Sequence, residues 1–433
     1  GIRTVTAANA VGNDEVNVGA GFTSALTVNM ADDDTGVSTD VLAAAYTGAL
    51  TINAAITDTD DHGATLTGGT GTADTLNLSI DESDDAVLTG VSAIESIVVT
   101  DGNADADHTT AVTLADANAT YTDATDYQTL TVDATAIGAS GDTVNISAAA
   151  EQDAKVVLKG GDGVNNITLS ASVNFGDTVA AAGGDDTITT ATANFTSADI
   201  IDGGDGDDTI VTSDDATVDD ADFTNVTSVE AISGTAVKDL DLTLGALADA
   251  AGIRTVTFTD EGSAGDTVTV GAGFTSALTV VLDDAASYKN VVDASSYVGE
   301  GLTVQATTGD LDSVSTAQDL TGSAGTDVFN VLVNGAVTTT AMTSMTGFET
   351  IRITDGDADT DEAVTFTLAN ENASYTNSST YETITVDATA IGASGDTVNI
   401  TAAAETDAKV IINGGAGVNT ITLSKSVNVG DTV

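Results

Sequence analysis

The chain has 433 residues, 67 of them acidic and only 9 basic, for a formal net charge of −58. Nucleic acid and anionic membrane are thereby excluded as partners, because phosphate binding needs clustered Lys and Arg, and Arg3, Arg254, Arg352 and the six lysines are scattered. The same imbalance makes the compact state repel itself unless salt or bound cations offset it.

Acidic chains are often disordered. Here, however, 41% of the residues are hydrophobic, and Val, Ile and Thr recur in short alternating runs such as TLTVDATAI at 129–137 and DTVTV at 266–270. Such alternation marks half-buried strands. Cysteine and tryptophan are absent, so there is no disulfide framework, as suits a bacterial protein exported unfolded. Proline is absent too, where a chain this long would carry roughly twenty. Every backbone N–H is then available to a ladder, which favours one long hydrogen-bonded stack over proline-linked domains. No run of about 18 apolar residues exists to span a membrane. The chain opens at Gly1 with neither an initiator Met nor a signal peptide.

In chain order, GIRTVT at 1–6 and GAGFTSALTV at 19–28 come first, and both return, at 252–257 and 271–280. GGTGTADTL follows at 68–76 and AIESIVV at 93–99. TLADANATYTDATDY at 113–127 reads either as a weak helix or as a loop whose Tyr121 and Tyr127 plug a solenoid end, and TLANENASYTNSSTY at 367–381, with Tyr375 and Tyr381, is its copy. Residues 133–179 align without a gap to 387–433 and differ at nine positions. The repeat unit is thus about 250 residues, which divides the chain into 1–251 and a truncated 252–433. Fainter half-units have boundaries near 125 and 375, and they share a glutamate two residues before an isoleucine in AIESIVV, SVEAIS (228–233) and FETIRI (348–353). Because the counterpart of 180–251 is missing after Val433, the expectation is a window on a longer array. Repeats with short strands and no linkers bury a core by stacking on one another.

Glycine–aspartate loops punctuate the strands. Gly203–Val211 reads GGDGDDTIV and fits G-G-x-G-x-D-x-U-x, where U is a large apolar residue, at every fixed position. GGDGVNNIT at 160–168 has Asn165 in place of the aspartate, GGDDTI at 183–188 is shortened, GSAGTDVFN at 322–330 keeps Asp327, and GGAGVNTIT at 414–422 copies 160–168. Glycine permits left-handed backbone angles that turn carbonyls to one side, and Ca²⁺ takes six to eight hard oxygen ligands. Motif starts at 160, 183 and 203 are 23 and 20 residues apart, about one solenoid turn with two short strands.

On these motifs the chain resembles the RTX (haemolysin-type) calcium-binding repeat proteins. It is similar in particular to bacterial S-layer and large cell-surface proteins that mix degenerate RTX turns with strands like GFETI at 347–351 and VDASSY at 292–297. The resemblance implies an all-β parallel β-solenoid or β-roll, folding triggered by extracellular Ca²⁺, and type I secretion. It also implies the ligands by position: Gly203, Asp205, Gly206, Asp207 and Asp208 in the complete motif, with Asp208 foremost, and Asp327 next. Asp162 and Asn165, Asp185 and Asp186 belong to the flanking loops, and Asn165 and Asn419 are replacements for the aspartate. With one complete nonapeptide and none in tandem, fewer ions are expected than in a β-roll toxin. The fold alternative is tandem Ig-like β-sandwiches, since half-units near 125 residues suit that size.

Other acidic clusters, ADDDTG (31–36), DTDDHG (58–63), TSDDATVDDADF (212–223) and DGDADTDE (355–362), read as solvated surface; the last lacks the glycine and helices of an EF-hand. Glu95, Glu230 and Glu349 recur with the scaffold and read as structural rather than catalytic. His62 and His108 have no copies, and no G-x-S-x-G, H-E-x-x-H, P-loop or dinucleotide fingerprint appears. An enzyme is therefore not expected. A β-helix enzyme acting on polysaccharide would also want more than the 4% aromatic residues present. The expected function is an extracellular structural protein, secreted or on a bacterial cell surface, that self-assembles into a layer or filament bridged by Ca²⁺. The alternative is the calcium-stiffened stalk of an adhesin. The expected partner is the chain itself, with cell-surface polysaccharide as a candidate anchor.

Overall fold

The computed structural model describes the chain apart from residues 1, 9–13, 32–38, 56–63, 72, 81–82, 102–107, 120, 124–125, 153, 173–174, 236–238, 260–264, 283–288, 308–317, 334–335, 339–341, 343, 357–362, 373–374, 378–379, 393–395, 407 and 427–429. The described chain is a parallel β-solenoid, and the sandwich alternative is excluded by its strand pairing. The only antiparallel pairs among the described residues are two small hairpins, Tyr121–Asp123 with Asp126–Tyr127 and Tyr375–Asn377 with Thr380–Tyr381. These hairpins sit at the expected half-unit boundaries near 125 and 375. They decide the Tyr-pair segments as loops rather than helices, and each interrupts a turn within the stack rather than closing an end.

The chain forms two compact units, 1–211 with 222–229, and 212–221 with 230–433. The division falls earlier than the sequence repeat at 251/252, because a repeat has no preferred starting phase. In unit one the long sheet runs through ten strands, from Thr4–Ala8 to Val226–Thr227. In unit two the corresponding sheet takes Ala231–Gly234, Thr255–Phe258, Leu278–Leu282, Leu302–Thr307, Val328–Val333, Thr350–Asp355, Thr383–Asp387 and Lys409–Asn413.

Register keeps like residues in columns. Leu26, Thr27, Val28 and Asn29 pair with Leu50, Thr51, Ile52 and Asn53 one turn later. Period-two alternation sends Val28, Ile52, Leu76 and Ile97 inward, all with 0% exposure, while Thr27, Thr51 and Thr75 face out. Each such inward aliphatic side chain contributes roughly 1.5–3 kcal/mol. Tyr46 and its copy Tyr297 lie inside, and their hydroxyls donate to the carbonyls of Ser24 (2.5 Å) and Ser276 (2.6 Å).

The half-unit glutamate segments mark where one sheet gives way to another. In unit one a four-stranded sheet from Asp14–Asn17 ends at Val91–Ser92, just after Asp84–Val87 opens a new sheet. In unit two a six-stranded sheet ends at Met345–Thr346, just after Ala336–Thr338 opens another. The residue following each closing strand has a left-handed backbone: Ala93 (φ 53°), Ser228 (φ 52°) and Gly347 (φ 73°). Only one of the three is the glycine that this conformation favours. Gly347→Ala is expected to cost about 1–2 kcal/mol. Ala93→Gly is expected to gain a smaller amount, roughly 0.5 kcal/mol, because glycine also frees the unfolded chain. Urea unfolding of the two variants checks both signs.

Candidate functional site

The glycine turns are built around a repeated side-chain bond. A carboxyl or amide side chain enters the core at the start of a strand and accepts the backbone N–H of the residue at, or next to, the same position one turn earlier. In unit one, Asp208 Oδ1 accepts the N–H of Asp186 (2.8 Å), and Asp186 Oδ1 accepts that of Asn165 (2.7 Å). In unit two, Gln318 accepts from Asn290 (2.6 Å), Asn290 from Asp266 (2.8 Å) and Asp266 from Leu240 (2.5 Å). The recurring glutamates join the same scheme. Glu95 Oε2 accepts the N–H of Asp74, and Glu349 Oε2 that of Asp327, both at 2.8 Å. Burial raises the pKa of both glutamates, and the neighbouring Asp74 and Asp327 carboxylates add to the rise.

These rungs exist because the turn backbone needs acceptors. Where the chain bends between sheets it leaves N–H groups facing the core, and a buried unpaired N–H is costly. Asp74, the aspartate of the weaker motif GGTGTADTL, plays this part, as do Asp142, Asp266 and Asn290, which were not singled out from the sequence. The pattern Asp-Thr-apolar, at Asp74-Thr75-Leu76, Asp142-Thr143-Val144, Asp186-Thr187-Ile188, Asp208-Thr209-Ile210 and Asp266-Thr267-Val268, is the signal that finds the aspartates, and Asn290 lies outside it.

The predicted ligand residues separate into three kinds. Asp327 is saturated: Oδ1 accepts the N–H of Leu302 (2.9 Å), and Oδ2 accepts the N–H (2.5 Å) and hydroxyl (2.8 Å) of Ser323. Asp162, Asp185, Asp205 and Asp207 are exposed, and Asp185 Oδ1 accepts the N–H of Asp207 (3.0 Å). Asn165, Asp186 and Asp208 lie fully inside, together with Gly203.

Asn165 shows what these loops surround. Its amide nitrogen donates to the carbonyls of Gly163 (2.7 Å), Ala181 (2.9 Å) and Gly161 (3.1 Å) and to Asp186 Oδ1 (3.0 Å). Four oxygens converge on one donor group. Asn419 keeps two of these contacts, to Gly415 (2.8 Å) and Gly417 (3.2 Å). An ionised aspartate at that position has no hydrogen to give. Asp186, next in the stack, keeps Oδ2 buried with no hydrogen-bond partner. Desolvation raises its pKa to about 7; the bonds from Asn165 oppose the rise, and the Asp208 and Asp185 carboxylates strengthen it. In the same loops, positive φ at Gly184 (104°), Gly204 (110°) and Gly206 (142°) lets the backbones stack with no Cβ between them; a Cβ on Gly206 would lie 2.0 Å from the carbonyl oxygen of Gly184. A buried carboxylate oxygen without a partner, under stacked glycine loops, suits a hard cation. Among the described residues no three acidic or histidine side chains gather tightly enough to hold a metal by themselves. A cation here would therefore lean on backbone carbonyls as well as on Asp186 and Asp208.

Asp220, in the acidic segment 212–223, is also employed: its Oδ1 accepts the N–H groups of Gly245 (2.8 Å), Leu247 (3.1 Å) and Ala248 (2.9 Å) at the start of the helix Ala246–Ala251. The segments 58–63 with His62, 32–36 and 357–362 lie outside the described residues. The imidazole of His108 stands 4.0 Å from Asp142. No protein-family model matches the chain, and neither a curated protein nor a solved structure does.

The sign of the Asp186 effect follows from its raised pKa. Its protonated form fits the fold better, so this stability is present below about pH 4 and is lost as pH rises through about 7. In metal-free protein, Asp186→Asn is expected to raise stability at pH 7.5 by about 1–2 kcal/mol and to flatten the fall between pH 4 and 7. Thermal melts across that range check it.

Proposed function

We propose that this chain is an extracellular structural protein that self-assembles into a surface layer or filament, folded and bridged by Ca²⁺. The observation that carries the reading is the buried, partnerless Asp186 oxygen beneath stacked glycine loops, in a chain of net charge −58. At neutral pH and above, a bound cation would stabilise such a bare carboxylate oxygen, as protonation does at lower pH. Gly203, Asp205, Gly206, Asp207 and Asp208, with Asp185 and Asp186, are the residues assigned to the ion, and Asp162 and Asn165 flank them.

The resemblance to RTX and S-layer repeat proteins supports the same reading. Export of an unfolded chain through a calcium-poor interior, followed by folding outside, gives Ca²⁺ the role of a trigger. Repeat units that stack along an axis supply identical contact surfaces at each unit, as a layer or filament needs. Saturated Asp327 and amide-filled Asn165 are assigned to the scaffold, so the ions are few.

Circular dichroism and light scattering, recorded together while EDTA-treated protein is titrated with Ca²⁺, test the proposal, with Mg²⁺ as control. The expected outcome is a coil-to-β transition with rising scatter under Ca²⁺ alone. Folding without scatter favours the adhesin stalk. Complete β structure in EDTA, unchanged by Ca²⁺, removes the ion from the account.

A further inference from the structure

Asn165 holds the sixth position of a loop that copies the complete motif, and its amide sits in a cage of oxygens. The amide nitrogen carries two hydrogens. Four oxygens from two successive turns stand 2.7 to 3.1 Å from it: the carbonyls of Gly163 and Gly161 in its own loop, and the carbonyl of Ala181 and Oδ1 of Asp186 in the next. The other end of the amide fixes its orientation. Oδ1 accepts the N–H of Gly161 (2.9 Å), so turning the group over would set an oxygen among four oxygens and a donor against a donor.

The side chain is placed like the aspartate of the complete motif. A Cβ on Gly160 would lie 2.6 Å from Asn165 Oδ1, and one on Gly203 would meet Asp208 Oδ2 in the same way. The internal copy repeats the arrangement: Asn419 Oδ1 accepts the N–H of Gly415 (3.0 Å), and its amide nitrogen donates to the carbonyls of Gly415 and Gly417.

We propose that the Asn165 amide stands in for a bound cation and closes the cation site at its turn. The inference rests on the calcium reading of these loops and names the residue that limits it. Four oxygens around two hydrogens leave more acceptor capacity than one amide fills. A Ca²⁺ ion takes about six to eight oxygens at roughly 2.3–2.6 Å. The cage supplies a carboxylate oxygen and three carbonyls, and it lacks the carboxylate that an aspartate at 165 would bring. The amide nitrogen offers hydrogens in that place and no ligand.

Asn165 also arranges its neighbour. Its backbone N–H (2.7 Å) and its amide (3.0 Å) both donate to Oδ1 of Asp186, while Oδ2 of Asp186 stays buried with no hydrogen-bond partner. Asn165 is thus a positioning residue: it occupies one oxygen of Asp186 and leaves the other for the ion. With aspartate at 165 an oxygen would replace the donor, and Asp186 would lose a bond and gain a charged neighbour. That arrangement repels itself without a cation, and with one it forms a site of about five or six oxygens.

The test counts bound Ca²⁺ by equilibrium dialysis on the wild type, Asn165→Asp, Asn165→Ala and Asn166→Asp, with melting curves of each in EDTA and in Ca²⁺. Asn166 is exposed, so its variant adds the same charge outside the cage. The expected result is one more Ca²⁺ per chain in Asn165→Asp than in the wild type, and no gain in the other two. Asn165→Asp melts below the wild type in EDTA and is raised further by Ca²⁺ than the wild type is. Asn165→Ala melts low in both and holds the wild-type ions about tenfold more weakly. If Asn165→Asp folds in Ca²⁺ without an additional ion, or stays unfolded in Ca²⁺, the amide does not stand in for a cation and the proposal is overturned. Ca²⁺ bound by the wild type in that experiment leaves the calcium reading intact. A wild type that binds none, beside an Asn165→Asp that binds one, upholds the cage and removes the ion from Asp186. If neither binds Ca²⁺, both readings fall.

Discussion

Everything in this fold depends on supplying an acceptor to the backbone N–H groups at the turns. Parallel strands in successive turns pair along their length, but each passage between sheets leaves donors pointing into the core. At many of the described turns the chain answers with a side chain drawn from Asp, Asn, Gln and Glu, reaching back to the N–H one turn earlier. Asp208 to Asp186 to Asn165 in unit one, and Gln318 to Asn290 to Asp266 in unit two, are two stretches of the same device. It fixes the register of stacking as firmly as the ladder does, because a slipped turn would strand both partners.

The device has a cost, and its size depends on which residue makes the rung. An amide such as Asn165 accepts with one atom and donates with the other, so it satisfies the N–H of Gly161 in its own loop and the carbonyls around it. A carboxylate such as Asp327 is content where a serine supplies extra donors. Asp186 has neither an amide of its own nor a serine, and its burial pushes its pKa to about 7. Similar turns thus carry fully bonded rungs and, at Asp186, a rung with a bare oxygen, and the difference lies in the side chain and its neighbours. The same reasoning explains why an acidic chain keeps so many carboxylates inside. They are acceptors first and charges second.

The sequence by itself determined the class of fold. Period-two alternation, loops about 20 residues apart and the long internal repeat are local or translational properties, and a stack of parallel turns is the arrangement that satisfies all of them at once. It also exposed the glycine–aspartate loops and the recurring glutamates. Only the tertiary structure decided what those residues do. Both Asp327 and Asp186 accept an N–H one turn earlier, some 20 to 25 residues distant in sequence, but Asp327 is saturated because its loop folds Ser323 onto its second oxygen, and Asp186 is left with a bare one. The hand-over of one sheet to the next at the glutamate segments was legible as a repeat but not as a geometry, because a left-handed residue there can be Ala93 or Ser228 as well as Gly347.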